Sequence, residues 1–446
     1  MNTPICDFLD KYALSGAERL HMPGHKGVPG ALCGAERFDI TEIPGADSLY
    51  EACGIIAESE KNASSLFGTE ATFYSTEGSS HCIRAMLYTA LLYSRGNARE
   101  NAILAVRNAH RTFVTAAALL GLDTEWVYPR DTMLSGTAGA EEIKNALEGR
   151  RFAAVYITSP DYLGGRCDIA AISAVCRENG ALLLCDNAHG AYLKFLPRDL
   201  HPVALGADIC CDSAHKTLPV LTGGAYLHFA HGARALAAHA RNALSLFGST
   251  SPSYLILRSL DSANALLAEG FKAELARFVP LVDAAKETIA SAGYALYGDE
   301  PLKITVMPKA RGYTGKELAR ECENRGIVCD FADPDHAVFM LSPANGELAP
   351  QKLCEALVSL PRRAEIKKRP PVVTPKKQAL PAREALLAPC ETVPSREALG
   401  RVCASPLVGC PPAIPVVTCG ELTDENALEL FDYYGIGNCR VVLKNE

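Results

Sequence analysis

Between about residues 68 and 230 the chain repeats one pattern: a short apolar run, a polar turn, then a longer segment with helical spacing. Strands that alternate with helices of that length pair in parallel, because each crossover returns the chain to the same end of the sheet. The candidate strands are Asn101 to Val106, Ala153 to Thr158, Ala181 to Asp186, Ala207 to Asp212 and Gly224 to Phe229. Each is mostly apolar, as expected of strands buried on both faces. Ile83, Met86, Leu87, Ala90 and Leu91 fall at i, i+3, i+4, i+7 and i+8, which predicts an amphipathic helix beginning near Ser79 and Ser80. Ligands of such sheets bind beyond the carboxyl ends of the strands, so polar residues at those ends are the candidates for chemistry.

The remainder of the 446 residues exceeds one domain. Helical spacing returns over about residues 262–292. Ile304 to Met307 and His336 to Leu341 then read as strands beside a helix around Lys352 to Leu360, forming a smaller α/β unit. Residues 364–381, rich in Pro and Lys, read as a linker. The expected divisions are 1–262 for an N-terminal arm and large domain, 263–363 for the small domain, 364–381 for the linker and 382–446 for a compact tail with a turn cluster, CPPAIPVVTCGE.

A net charge of -7 without a dense Lys/Arg cluster argues against a nucleic-acid or anionic-membrane partner and favours a small-molecule substrate. The first residues carry early acids and no apolar h-region, and no apolar run reaches bilayer length, so a cytoplasmic location is expected. The 17 cysteines are scattered without a CxxC pair. Buried apolar thiols, and no metal site, are therefore expected.

Three motifs carry candidate chemistry. In DSAHKTL, residues 212–218, Lys216 follows a buried strand, where a deprotonated amine could attack an aldehyde carbon. In LLLCDNAHG an apolar strand ends in Asp186, an acid able to pair with a ligand cation. In YSTEGSS, residues 74–80, a glycine and two hydroxyls open the amphipathic helix, whose free N–H groups and dipole suit a phosphate. Taken singly, each has a plainer reading as a surface lysine, a helix-capping acid and an ordinary N-cap. Their order, with spacings of about a hundred and then about thirty residues, resembles that of the large domain of a fold-type I pyridoxal-phosphate (PLP) enzyme.

Longer blocks extend the likeness. LHMPGHKG (20–27), TEIPGADSLY (41–50), RNAHRTF (107–113), TSPDYLGGRCDI (158–169), CDNAHGAYLKF (185–195), DSAHKTLPVLTGGAYLH (212–228), STSPSYLILRSLDSA (249–263) and the tail segment EALGRVCASPLVGCPPAIPVVTCGE together resemble the ornithine/lysine/arginine decarboxylase family, in its shorter form. The resemblance implies an α/β fold: a fold-type I large domain with a mainly parallel sheet, a smaller α/β domain and a C-terminal tail unit. It implies PLP as cofactor, held as a Schiff base on Lys216, with Asp186 on the pyridine nitrogen, His110 stacked on one ring face and Ala188 against the other. Gly78, Ser79, Ser80, Ser213 and His215 are implied around the phosphate, joined by Thr250 and Ser251 from a partner subunit. A homodimer with shared active sites is therefore expected. The implied reaction is decarboxylation of arginine, lysine or ornithine, with Lys216 or His215 returning the proton to Cα. A buried cationic side chain needs an anionic partner, and Asp47 and Glu421 are nominated for it.

The family usually has Glu at Asn187, His at Tyr192, Lys at Arg111, Gln at Gly223 and Pro at Cys419. These departures spare the lysine, the aspartate and the stacking histidine but leave the substrate open. Another PLP reaction on the same scaffold, an aminotransferase or a lyase, and a non-catalytic PLP-binding paralogue are the competing expectations.

Overall fold

The structure, a computed structural model, describes residues 1–129, 135–409 and 414–443. Residues 410–413, which open the expected tail turn cluster, lie outside the described residues. Seven strands, β1 (Ala71–Ser75), β2 (Ala102–Val106), β3 (Asp123–Val127), β4 (Ala154–Thr158), β5 (Leu182–Asp186), β6 (Ile209–Asp212) and β7 (Ala225–Phe229), build one sheet in the order β1-β7-β6-β5-β4-β2-β3. The five expected strands are present within two residues of their expected ends. β5 and β6 are parallel, as are β2 and β3. β7 departs from the simple pattern and runs antiparallel to both β6 and β1. The fold is α/β with a mainly parallel sheet.

The chain forms two compact units: Met1–Glu100 with Ala153–Val155 and Ile169–Ala273, and Asn101–Phe152 with Tyr156–Asp168 and Glu274–Glu446. In the first, helices α1 (Pro4–Leu14), α2 (Ile55–Phe67) and α3 (Gly78–Gly96) are prominent. The apolar stripe predicted for α3 is buried at Ile83, Met86, Leu87, Ala90 and Leu91. Each of its large side chains contributes about 2 kcal/mol by leaving water. The segment expected to be helical from 262 to 292 is two helices, Tyr254–Leu266 and Lys272–Ser291, separated by non-helical backbone at Gly270.

In the second unit, α4 (Arg111–Leu120) follows β2. An antiparallel sheet in the order β10-β11-β9-β8 uses β8 (Ala295–Tyr297), β9 (Lys303–Met307), β10 (Phe331–Ala332) and β11 (Ala337–Met340), near the helix Ala349–Val358. The tail pairs β12 (Cys390–Pro394) with β15 (Asn438–Val442), and β13 (Leu407–Gly409) with β14 (Ile414–Val417). Val393, Cys403, Val416, Leu430, Phe431 and Val441 fill its core. Residues 364–381 are extended but pinned: the Ile366 N–H donates to the Lys309 carbonyl, the Ala379 N–H to the Gly420 carbonyl, and Lys376 Nζ to Asp424 Oδ1 at 2.9 Å. The described cysteines are free thiols and most are buried. Among the described residues no helix is long and apolar enough to cross a membrane.

Candidate active site

Strand direction in the first unit brings the three motifs to one sheet edge. β5 and β6 run parallel with Asp186 opposite Cys211, so Asp186 and Asp212 end on the same side. β7 is antiparallel to β6, with Tyr226 opposite Asp212, so its leading glycines Gly223 and Gly224 lie at that side too. β1 is antiparallel to β7 with Ser75 opposite Ala225, which delivers Thr76 to Gly78 and the start of α3 to the same edge. Residues from Thr76 to Gly224 thus meet because two of the three neighbouring strand pairs are antiparallel.

The contacts there are specific. Gly78, at φ 75°, donates its N–H to the Gly223 carbonyl at 2.7 Å. Gly223 itself has φ 101°, and a Cβ added to it would lie 2.8 Å from the Thr76 carbonyl oxygen. Only glycine fits both demands, which gives a physical reason for the departure at this position. Ser213 Oγ donates to Ser79 Oγ at 2.7 Å, tying the turn after β6 to the first turn of α3, which also holds Ser80. The His215 backbone N–H and its Nδ1 both reach the Gly224 carbonyl, Nδ1 at 2.9 Å. A carbonyl only accepts, so Nδ1 carries the proton. Burial pushes this imidazole's pKa down, the Gly224 hydrogen bond opposes, and the Lys216 charge adds to the lowering.

Asp186, 2% exposed, accepts at Oδ1 from the Ala188 N–H at 3.2 Å and from the Cys211 thiol at 3.7 Å. That thiol stays protonated because burial and the neighbouring Asp186 push it up. Lys216 is exposed, and its Nζ lies 3.0 Å from Nε2 of the buried His189. His189 was not singled out from the sequence. It stands inside the CDNAHG block, but nothing in sequence alone distinguishes it from a core histidine.

Beneath this edge Asp212 organises a wholly buried network. Its Oδ2 accepts from His201 Nε2 at 3.0 Å and His228 Nε2 at 3.2 Å. Its Oδ1 accepts from Asn187 Nδ2 at 2.7 Å and the Cys210 thiol at 3.6 Å. Burial works to raise the Asp212 carboxyl, but the His201 and His228 imidazoles outweigh it and hold it below the usual carboxylate range. A glutamate at 187 would set a second anion against Asp212, whereas the asparagine amide donates to it. Asp212→Ala is expected to lower stability by about 3 kcal/mol or more, since four side-chain donors, those of His201, His228, Asn187 and Cys210, would be left buried without that acceptor. A urea unfolding curve checks this.

The other nominated residues fall elsewhere. In the first unit Asp47 has φ 70°, and its carboxylate accepts from five backbone N–H groups, those of Ser48, Cys53, Gly54, Ile56 and Ala57, the last three at the start of α2. These donors fill a carboxylate's acceptor capacity, so Asp47 acts as a helix cap. Thr250 and Ser251 are exposed on a loop tethered in the same chain, where the Ser249 N–H donates to Glu77 Oε1 at 2.6 Å and the Ser251 N–H to Ser249 Oγ at 3.1 Å.

In the second unit His110 is the N-cap of α4, its Nδ1 accepting the Thr112 N–H at 3.2 Å. Glu421, 1% exposed, forms a two-pronged pair with Arg107, both bonds 2.8 Å, and accepts the Thr418 N–H at 2.7 Å. The Arg107 guanidinium lies 4.8 Å from the Trp126 ring centroid and 5.5 Å from that of Tyr128. Burial works to lower Arg107, but Glu421 more than offsets it and keeps the cation charged. Arg107→Ala is expected to cost about 3–5 kcal/mol, because it strands a buried carboxylate. The thermal unfolding midpoint checks this.

Comparison with known proteins bears on what this edge does. Residues 3–306 match the model of the Orn/Lys/Arg decarboxylase major domain. An arginine decarboxylase of Bacillus subtilis is 27% identical over 96% of this chain and 93% of its own length. The lysine decarboxylase LdcF of Francisella novicida superposes with a TM-score of 0.79 at 17% identity, covering 99% of this chain and 81% of that one. An alanine–glyoxylate aminotransferase from Nostoc sp. shares the fold over 68% of this chain, with a TM-score of 0.54 at 18% identity. A lysine, an aspartate and a hydroxyl-rich helix start converge on one edge of a fold-type I sheet, and the family model spans the whole of that edge: this chain is a member of the Orn/Lys/Arg decarboxylase family.

Proposed function

We propose that the protein decarboxylates a basic amino acid, arginine, lysine or ornithine, using pyridoxal phosphate attached to Lys216. The observation that carries this reading is the convergence of Lys216, Asp186 and the start of α3 at one sheet edge, and the residues there fit the cofactor. Gly78 at φ 75° and the hydroxyls of Ser79 and Ser213 form an anion cradle at the N-terminus of a 19-residue helix. Thr217 Oγ1, beside Lys216, is buried with no hydrogen-bond partner among the described residues, a polar atom left for a ligand.

When bound, the cofactor supplies an aldehyde for an amine and a conjugated ring that takes up the electron pair released as carbon dioxide departs. The chain's own groups do the rest. Asp186 would hold a proton on the ring nitrogen. Ser79, Ser80, Ser213 and the positive dipole end of α3 would offset the phosphate charge, with Gly78 and His215 alongside. Ala188 would pack against the ring and His110 stays the stacking residue that the family resemblance proposes, while Thr250 and Ser251 would serve the phosphate of the second subunit in a homodimer. Of the two candidate donors to Cα, Lys216 Nζ is favoured. His215 gives its Nδ1 proton to Gly224, and burial favours its neutral form, so Nε2 has none to give. Neither Asp47 nor Glu421 is assigned to the substrate, since protein donors already occupy both carboxylates.

The test is incubation of the purified protein, supplied with pyridoxal phosphate, with each of the three amino acids while released carbon dioxide is trapped. Equal amounts of carbon dioxide and the matching amine are expected from at least one. A keto acid without carbon dioxide, or no product from any, would reject the assignment.

A further inference from the structure

At neutral pH a lysine amine is an ammonium ion, with no electron pair to offer a carbonyl. The attachment of an aldehyde to Lys216 is therefore speeded by a group that takes its proton and gives it back. His189 Nε2, 3.0 Å from Lys216 Nζ, is placed to do so.

The geometry around the pair is held from both sides. His189 follows β5 on a tight turn in which the Asn187 N–H donates to the Cys211 carbonyl and the Gly190 N–H to the Asn187 carbonyl. Asp212 fixes that turn through Asn187 Nδ2 at 2.7 Å. On the other side the Lys216 N–H donates to the Ser213 carbonyl at 3.0 Å, and Ser213 is in turn tied to Ser79. Asp212 immediately precedes Ser213, so one buried carboxylate anchors the turns that carry both members of the pair. His189 is itself only 5% exposed, which limits its exchange of protons with bulk water.

We infer that His189 is the acid–base partner of Lys216, an inference that rests on Lys216 being the point of attachment. The ammonium at Nζ passes one proton to Nε2. The freed amine pair forms the C–N bond to the aldehyde carbon, and the carbonyl electron pair moves onto oxygen. That oxygen collects the proton returned from the imidazolium and a second from the nitrogen, and leaves as water. An ammonium and an aldehyde become a protonated imine and water, with no change of oxidation state.

The test measures attachment rather than turnover. Full-length protein freed of cofactor is mixed with pyridoxal phosphate, quenched with borohydride at successive times, and the pyridoxyl label on the Lys216 peptide is quantified by mass spectrometry. His189→Ala is expected to slow labelling about 100-fold, in the range of a general acid–base group, with the final extent unchanged. Added imidazole is expected to restore part of the rate in His189→Ala and to leave the wild-type rate unchanged. His189→Asn, closer in polarity, serves as the second variant and is expected to be equally slow. Wild-type labelling rates in both folded variants, as judged by circular dichroism, would overturn the inference. If wild-type protein takes no label at Lys216, the fault lies in the attachment site and so in the proposed function.

Discussion

Lys216→Ala is expected to abolish decarboxylation, with a loss of at least about 10^4-fold, the scale on which removal of a covalent catalytic group acts. The proposed function makes the ε-amine at this point both the cofactor's tether and the favoured proton donor to Cα, so its removal would take away both. The effect should be confined to chemistry. Lys216 is exposed on the short turn Ala214–Thr217, and alanine preserves that turn's backbone bonds. Exposed substitutions of this kind change stability by about 0.5 kcal/mol or less. Loss of activity together with the visible, borohydride-reducible absorbance, at an unchanged unfolding midpoint, is the expected pattern.

Asp186→Ala is expected to separate binding from catalysis. The cofactor stays attached through Lys216 and its phosphate stays in the α3 cradle, while turnover falls by about 10^3-fold, the scale of a preorganised electrostatic contact. A buried carboxylate facing the ring nitrogen keeps it protonated, and a protonated ring accepts the electron pair that decarboxylation releases. Asp186→Asn keeps the shape and removes the charge, so it is expected to lose nearly as much. Absorbance measured beside kcat checks both variants. If either retains near wild-type kcat, Asp186 is not the ring's partner.

The fold was largely legible because the chemistry of burial is local. Leu182 to Cys185 and Ile209 to Cys211 are apolar on every residue, which marks strands covered on both faces. β3 carries no such signal, because exposed Asp123 and half-buried Thr124 and Glu125 break the apolar run. The reversed direction of β7 was equally hidden, since its five residues read the same whichever way they pair. Strand direction is settled by pairing across the sheet, and it is this reversal that brings Gly223 and Gly224 to the edge that carries Lys216.

Residue type and position point to candidates such as Lys216 and Asp186 at strand ends, but the partner decides what each candidate can do. Glu421 reads as equally available in the sequence, because its partner, Arg107, lies 314 residues away. Asp47 is similar, for its five donors are backbone N–H groups that no side-chain pattern records. His189 is the converse case, a residue whose proposed role rests on the atom placed beside it.

The most direct test is peptide mapping of the holoprotein after borohydride reduction. A single pyridoxyl group on the ε-nitrogen of Lys216 is the predicted result. The label on any other lysine, or its complete absence after incubation with pyridoxal phosphate, would contradict the account.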